Sequence, residues 1–309
     1  MLKRFVVEDY DRKALGTLFA SWFETYGWLD RLRARGPRVL LKPNFVMPSA
    51  PDDPSTTHPN FYMTLARFLK DAGFDVGIGE SPAFGSCEAA LRRHGVLEEC
   101  KQSGIEVVEF KTAEPIAGVA HDNSYDTLTI AHELAAWSSL VNLPKLKTHK
   151  QLAFTGATKN LYGCVTGKRK FFRHNLCKND PVRFARMIIA NARAANAVLH
   201  IADGIEAAHV TGPRGGVPYA LHTVLVGDEP LALDWAFCLS TGLQPGATPL
   251  FQALESHARE QVAATARDVM HGIEPEADFV HAKLIHVSFG PIAVLRSFAR
   301  TLRHRTGSA

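Results

Sequence analysis

Acidic residues are missing from the middle of this 309-residue chain: no Asp or Glu occurs between Leu134 and Asn179, a stretch that carries nine lysines and arginines. The whole chain is only +4, with 35 basic and 31 acidic residues, so the positive charge is local and the remainder is net acidic. Ordinary soluble surfaces intersperse both signs. An acid-free basic window instead suits a negatively charged ligand, with a solvated basic loop as the plainer alternative.

Cysteine is also scarce. Cys87, Cys100, Cys164, Cys177 and Cys238 are the five present, never spaced C-x-x-C, so neither a disulfide framework nor an iron–sulfur or structural zinc motif is expected. No H-E-x-x-H occurs, and no metal site is expected. No run approaches the roughly 18 apolar residues of a membrane span. The opening residues mix charges into every short apolar run, unlike a secretory leader, so the expected location is the cytoplasm and no membrane partner is expected. Phosphate-loop chemistry is missing too. The segment from Gly163 to Arg169 is one residue short of a Walker-type loop, and Gly77-Ile78-Gly79 lacks the third glycine of a dinucleotide fingerprint. No nucleotide or other cofactor is expected.

What the chain does have is a 46% hydrophobic composition, enough for one large or two medium domains. Short aliphatic runs at 38–42, 76–79, 105–110, 139–143, 198–202, 223–226 and 283–287 read as strands and alternate with helical patterns. This predicts an α/β fold with a largely parallel sheet and helices on both faces. One helix is expected over 59–72 and another over 181–196 capped by Asp180; a third begins at Glu229 or Pro230 behind Asp228. A single domain over 1–309 is expected, with weak two-lobe boundaries near 121–126 and 211–218. A basic amphipathic helix is expected over 291–305, packing on the body or on a second subunit, which leaves room for a homo-oligomer.

The distinctive polar residues fall where strands end. In open α/β sheets ligands bind beyond the carboxyl ends of the strands. The first strand ends at Lys42 and Asn44, the second at Glu80 and Ser81, the fourth runs into Lys145, Lys147 and His149, and the fifth ends at Asp203 and Gly204. If 145–149 is extended, Lys145, Lys147 and His149 share one face, where their charges repel unless an anion lies among them. A helix from about Thr155 would offer its N-terminus to an anion and place Thr155, Lys159 and Tyr162 at neighbouring turns, with Asn160 near its end and Gly163 as a left-handed cap. Cys164 would follow as a thiol among cations or as a small buried hydrophobe. His174 sits in a loop of aromatics and cations, and Arg214 in a Gly/Pro-rich loop. Asp234 reads as a buried carboxylate paired with a lysine.

The segments LLKPNF, LVNLPKLKTH, GATKNLYGCVTGKRK, IADGI and PLALDWA resemble those of the family named domain of unknown function 362, over roughly residues 38–242. The resemblance implies site positions at Lys42, Asn44, Lys145, Lys147, His149, Lys159, Asn160, Gly163, His174, Asp203, Gly204 and Asp234. Some members carry ferredoxin-type cluster segments, implying a loose redox association, but this chain lacks the cysteine run.

These residues together suggest an enzyme that binds a small carboxylate or phosphate and does acid–base chemistry beside a carbonyl: isomerisation, cyclisation or dehydration. The catalytic candidates are His149, Lys145, Lys147 and His174. The binding candidates are Lys42, Asn44, Glu80, Ser81, Lys159, Asn160, Gly163, Cys164, Asp203, Gly204, Arg214 and Asp234. The alternatives are a non-catalytic factor recognising nucleic acid or an acidic partner, and a redox-associated protein. Nucleic acid is not the expected partner, because the lysines follow strand ends and do not line a helix face.

Overall fold

The computed structural model describes residues 1–116, 128–167, 177 and 180–285. In chain order these form β1 (Leu2–Val6), α1 (Arg12–Thr25), α2 (Trp28–Arg35), β2 (Arg38–Pro43), α3 (Pro59–Asp71), β3 (Asp75–Glu80), α4 (Cys87–Arg93), α5 (Leu97–Gln102) and β4 (Glu106–Glu109). There follow β5 (Ala113–Pro115), β6 (Thr129–Ala131), β7 (Ser139–Leu143), β8 (Lys145–His149), β9 (Ala153–Thr155), α6 (Ala157–Asn160), α7 (Pro181–Ala195), β10 (Leu199–His209), β11 (Val217–Gly227), α8 (Pro230–Ser240), α9 (Pro249–Gln252) and α10 (Ser256–Met270).

The main sheet runs β1-β11-β10-β7-β2-β3-β4, with β8 on β10 and β9 on β8. Its centre is parallel: β7, β2, β3 and β4 pair in one sense, and β10 joins β7 and β8 in the same sense. Both faces of such strands are covered, so β2 and β7 read as continuous apolar runs. Val39, Leu41, Val76, Ile78 and Val141 pack under α1 to α5. Their neighbours Leu40 and Leu140 face the other side, against Leu161, Ala192 and Ala195, as strand alternation requires.

Among the described residues antiparallel pairing is confined to β1, β11 and the short β8–β9 hairpin, together with the separate pair β5–β6. The loop between β10 and β11, around 211–216, therefore joins two strands of one sheet. The strand expected at 283–287 does not form in its described part, since 283–285 are irregular. Residues 286–287, the expected helix at 291–305 and the expected boundary at 121–126 lie outside the described residues.

Helix ends follow local chemistry. Pro59 and Pro181 open α3 and α7, and Asp180 accepts hydrogen bonds from the Val182 and Arg183 amides. The third cap differs from expectation. Glu229 caps α8 by accepting from the Ala232 amide at 2.6 Å, because Asp228 is held by the chain's terminal amine and by Arg31.

Three histidines are folded into places where a charge is costly. The Tyr62 hydroxyl lies 2.9 Å from His94 Nδ1, and His200 sits buried in β10 beside Asn142 of β7. Burial pushes His58 and His94 down to about 4 and His200 to about 3. An unfolded histidine titrates near about 6.5, so between about pH 4 and 6.5 the unfolded chain binds protons that the folded chain refuses. Stability present above that window is lost as pH falls through it. Asp234 acts in the opposite sense: burial raises it to about 7, so its contribution is present at low pH and lost as pH rises. His209 and His281 are likewise held down, and Glu206 and Glu229 are held up with Asp234. With the five histidines outnumbering the three acids, urea midpoints should fall on acidification from about 6.5 towards 4. His94→Gln should remove up to one proton from that dependence, about 1.4 kcal/mol per pH unit. An unchanged slope in the variant would contradict the assignment of His94.

Candidate functional site

The chain leaves β7 at Leu143, passes Pro144 and continues as β8, so that both segments lie along the long strand β10. Asp203 in β10 stands opposite Lys145 in β8. Lys145 and Lys147 thereby lie just beyond the carboxyl end of β7, and Lys147 reaches Asn44 just beyond β2.

Three lysines are fully buried there, and they are treated differently. Lys42, at the end of β2, pairs with Glu80 at the end of the adjacent β3, and also donates to the Pro43 carbonyl at 3.2 Å. Lys145 donates to Asp203 at 3.0 Å and to the Tyr10 hydroxyl at 2.8 Å. Tyr10 in turn donates to the other Asp203 oxygen at 2.7 Å, and the His58 amide completes that carboxylate at 3.0 Å. Lys147 is 1% exposed, and its hydrogen-bond acceptors are both neutral: Asn44 Oδ1 at 2.5 Å and the Ser55 carbonyl. Among the described residues no carboxylate forms an ion pair with it. Burial, followed by the positive charge of Lys159, holds its amine well below the usual lysine range, with Asp53 and Glu80 only partly opposing.

Behind this wall the amide side chains form a row with a single sense. Asn44 Oδ1 accepts from Lys147, and Asn44 Nδ2 donates to Asn160 Oδ1 at 2.9 Å. Asn160 Nδ2 donates to Asn142 Oδ1 at 2.8 Å and to the Lys42 carbonyl at 3.2 Å. Asn142 Nδ2 donates to the Ala157 carbonyl at 3.0 Å and reaches His200 Nδ1 at 2.9 Å. The ring of His200 therefore accepts at Nδ1 and carries its proton on Nε2.

A pocket of about 250 Å³ opens in front. Its polar wall includes Asn44, Glu80, Ser81, Lys147, His149, Thr155, Lys159, Asn160 and Gly163, and its apolar wall Phe45, Val46, Tyr162 and Phe184. Thr155 stands directly across the hairpin from Lys147. Its hydroxyl is buried without a hydrogen-bond partner among the described residues. His149 Nδ1 accepts from the Gln151 and Leu152 amides at 3.1 and 3.3 Å, so the neutral ring carries its proton on Nε2.

Gly163 is needed for space, not for a left-handed cap: it has no positive φ, and a Cβ there would collide with the Lys42 and Glu80 side chains. The neighbouring helix also differs from expectation. Thr155 belongs to β9 and α6 starts at Ala157. The anion at its N-terminus is the protein's own, because Asp234 accepts from the Ala157 and Thr158 amides at 2.5 and 3.0 Å. Asp234 is thus a helix cap and not a lysine's partner. Cys164 is buried among Leu40 and Leu161. Gly204 permits close strand packing, since a Cβ would meet Leu146 and the Thr223 carbonyl. Arg214 is exposed; its neighbour Pro213 touches the pocket. His174 and five of the nine cations of the basic window lie outside the described residues. Tyr10, His58, Asn142, His200 and Ser55 were not anticipated; Asn142 and His200 carried a signal, as polar residues inside apolar strand runs. Among the described residues no group of three or more His, Cys, Asp or Glu side chains is placed to hold a metal ion.

An α/β sheet with a lysine-walled pocket at its carboxyl ends is the class of protein this defines. Residues 39–239 match the family described as Domain of unknown function (DUF362), and the chain belongs to that family. It is 31% identical over 300 residues to the "Thylakoid-associated protein sll1697" of Synechocystis sp. (strain ATCC 27184 / PCC 6803 / Kazusa), covering 96% of this chain and 92% of that protein. Among solved structures it is similar to the lactate racemase apoprotein from Thermoanaerobacterium thermosaccharolyticum, with 15% identity and a TM-score of 0.38 over 53% of this chain and 41% of that one. It is also similar to a Thermotoga maritima protein, with 11% identity and a TM-score of 0.35 over 64% of this chain and 51% of the other. The chain thus spans about half or less of each of these solved chains. Among the described residues no helix is long and apolar enough to cross a membrane.

Removing one partner of a buried ion pair strands the other charge. Lys42→Met should therefore destabilise the protein by about 3–5 kcal/mol, and adding Glu80→Gln should recover most of that loss in urea denaturation. Equal stabilities for the single and double variants would show that the pair is not what holds β2, β3 and Asn160 together.

Proposed function

We propose that this protein is an enzyme that binds a small organic anion, a carboxylate or phosphate, in the Lys147 pocket and transfers protons beside a carbonyl group. The observation that carries this reading is the contrast among the three buried lysines: among the described residues, Lys42 and Lys145 are ion-paired with carboxylates and Lys147 is ion-paired with none. A buried amine without a counter-ion either gives up its proton or waits for a ligand to bring the opposite charge.

Both outcomes serve catalysis. The unprotonated Lys147 amine and the Glu80 carboxylate are the groups on the wall able to accept a proton. Lys159 and the His149 Nε2–H are placed to attract an oxygen that gains negative charge. Isomerisation, cyclisation or dehydration fits this set, and the cavity, smaller than the roughly 300 Å³ at which ligand clefts commonly begin, suits a small substrate.

Glycolate, phosphate and citrate should each be tested for raising the melting temperature, as ligands specific for the folded state do. At least one should do so, with a shallow dependence on salt, because a single anion displaces few counter-ions. Lys147→Met should leave the unliganded protein as stable or more stable, and weaken the stabilising anion about ten- to hundredfold, the equivalent of a charged hydrogen bond of roughly 1.5–3 kcal/mol. A wild type that no anion stabilises, together with a variant that melts lower, would defeat this reading.

A further inference from the structure

We infer that Lys147 captures its substrate covalently, as an imine, and that the substrate class is a small 2-oxo acid or aldehyde acid. This rests on the proposed anion pocket and specifies what the amine does in it.

The geometry is that of a positioned nucleophile. Two acceptors, Asn44 Oδ1 and the Ser55 carbonyl, engage two hydrogens of the Lys147 amine. In the unprotonated amine the remaining position on nitrogen is a lone pair. Lys147 is part of the pocket wall, and its acceptors belong to the chain just after β2 and to the loop before α3. Burial and a neighbouring cation are the two conditions under which lysine becomes a nucleophile towards carbonyls, and Lys147 meets both.

Three wall residues select the substrate. Lys159 supplies a positive charge for a carboxylate. Thr155, opposite Lys147, has a buried hydroxyl without a partner among the described residues, able to donate to a carbonyl oxygen held beside the amine. Phe45, Val46, Tyr162 and Phe184 leave apolar space for a short carbon chain. A carboxylate next to a carbonyl is the smallest arrangement that meets both polar groups.

The step balances without an added reagent. The amine nitrogen forms a bond to the carbonyl carbon, the carbon–oxygen double bond opens to a hydroxyl, and this oxygen departs as water with the two hydrogens of the amine. A carbon–nitrogen double bond remains. A proton taken up from solvent makes it an iminium ion, which withdraws electrons from the neighbouring carbon. Where that carbon bears a hydrogen, as in pyruvate, the proton passes to the Glu80 carboxylate, the other proton acceptor on the wall, leaving an enamine, and Glu80 returns it to carbon before hydrolysis releases the solvent proton. Hydrolysis by one water returns the free lysine.

The test is reductive trapping. The full chain is incubated at neutral pH with glyoxylate or pyruvate and cyanoborohydride, which reduces an imine to a stable amine, and the adduct is located by peptide mass spectrometry. About one adduct per chain is expected, on the peptide containing Lys147. It should be lost in Lys147→Arg and, in case that variant folds poorly, suppressed in the wild type by excess glycolate, which has the carboxylate but no carbonyl. Label scattered over surface lysines, or undiminished by glycolate, overturns the inference. If glycolate raises the melting temperature and Lys147 still takes no label, covalent capture is wrong while the anion pocket stands. If glycolate, phosphate and citrate do nothing and Lys147 takes no label, both fail.

Discussion

Asn160 is the point through which the site is held together. Its amide oxygen accepts from Asn44 and, at 3.4 Å, from Lys42, and its amide nitrogen donates to Asn142 and to the Lys42 carbonyl. A buried amide has two donors and room for two acceptor bonds, and here all four are used. They tie α6 to β2, to the chain beyond it and to β7. A buried polar network of this kind is worth having only when every member is satisfied, so the pocket wall cannot shift at one strand without breaking bonds at another.

The three buried lysines follow from that frame. Parallel neighbours put Glu80 beside Lys42, and the register of β8 on β10 puts Asp203 beside Lys145. Lys147, two residues further along the same face, forms no ion pair with a carboxylate among the described residues and donates to a carbonyl and an amide oxygen. The same strand thus carries one lysine that is locked and one that is chemically available. Tyr10 and His58, stacked at 3.8 Å, both donate to Asp203 on the locked side.

Much of this was legible in the chain. The parallel strands showed as apolar runs because both of their faces are covered, and the lysines and asparagines stood where those runs stop. What could not be read was pairing over distance. Asp203 is 58 residues from Lys145, and Asp234 is more than 70 from the amides it caps, so no local pattern announces either. The edge strand β1, LKRFV, was hidden because only part of it is buried. Asn142 and His200 were legible in principle: a polar side chain inside an apolar strand demands a partner, and each supplies the other's.

The one-way order of the amide row has a consequence for the chemical ageing of the protein. Deamidation turns an asparagine into an aspartate, replacing an N–H donor by an oxygen. At Asn142 that oxygen would face the Ala157 carbonyl and the acceptor nitrogen of His200; at Asn160 it would face the Lys42 carbonyl and Asn142 Oδ1. Neither position offers a hydrogen to the new oxygen, and a fresh negative charge would lie within the amide row that ends at Lys147. Loss of the pocket in stored protein would accordingly track the conversion of a single side-chain amide.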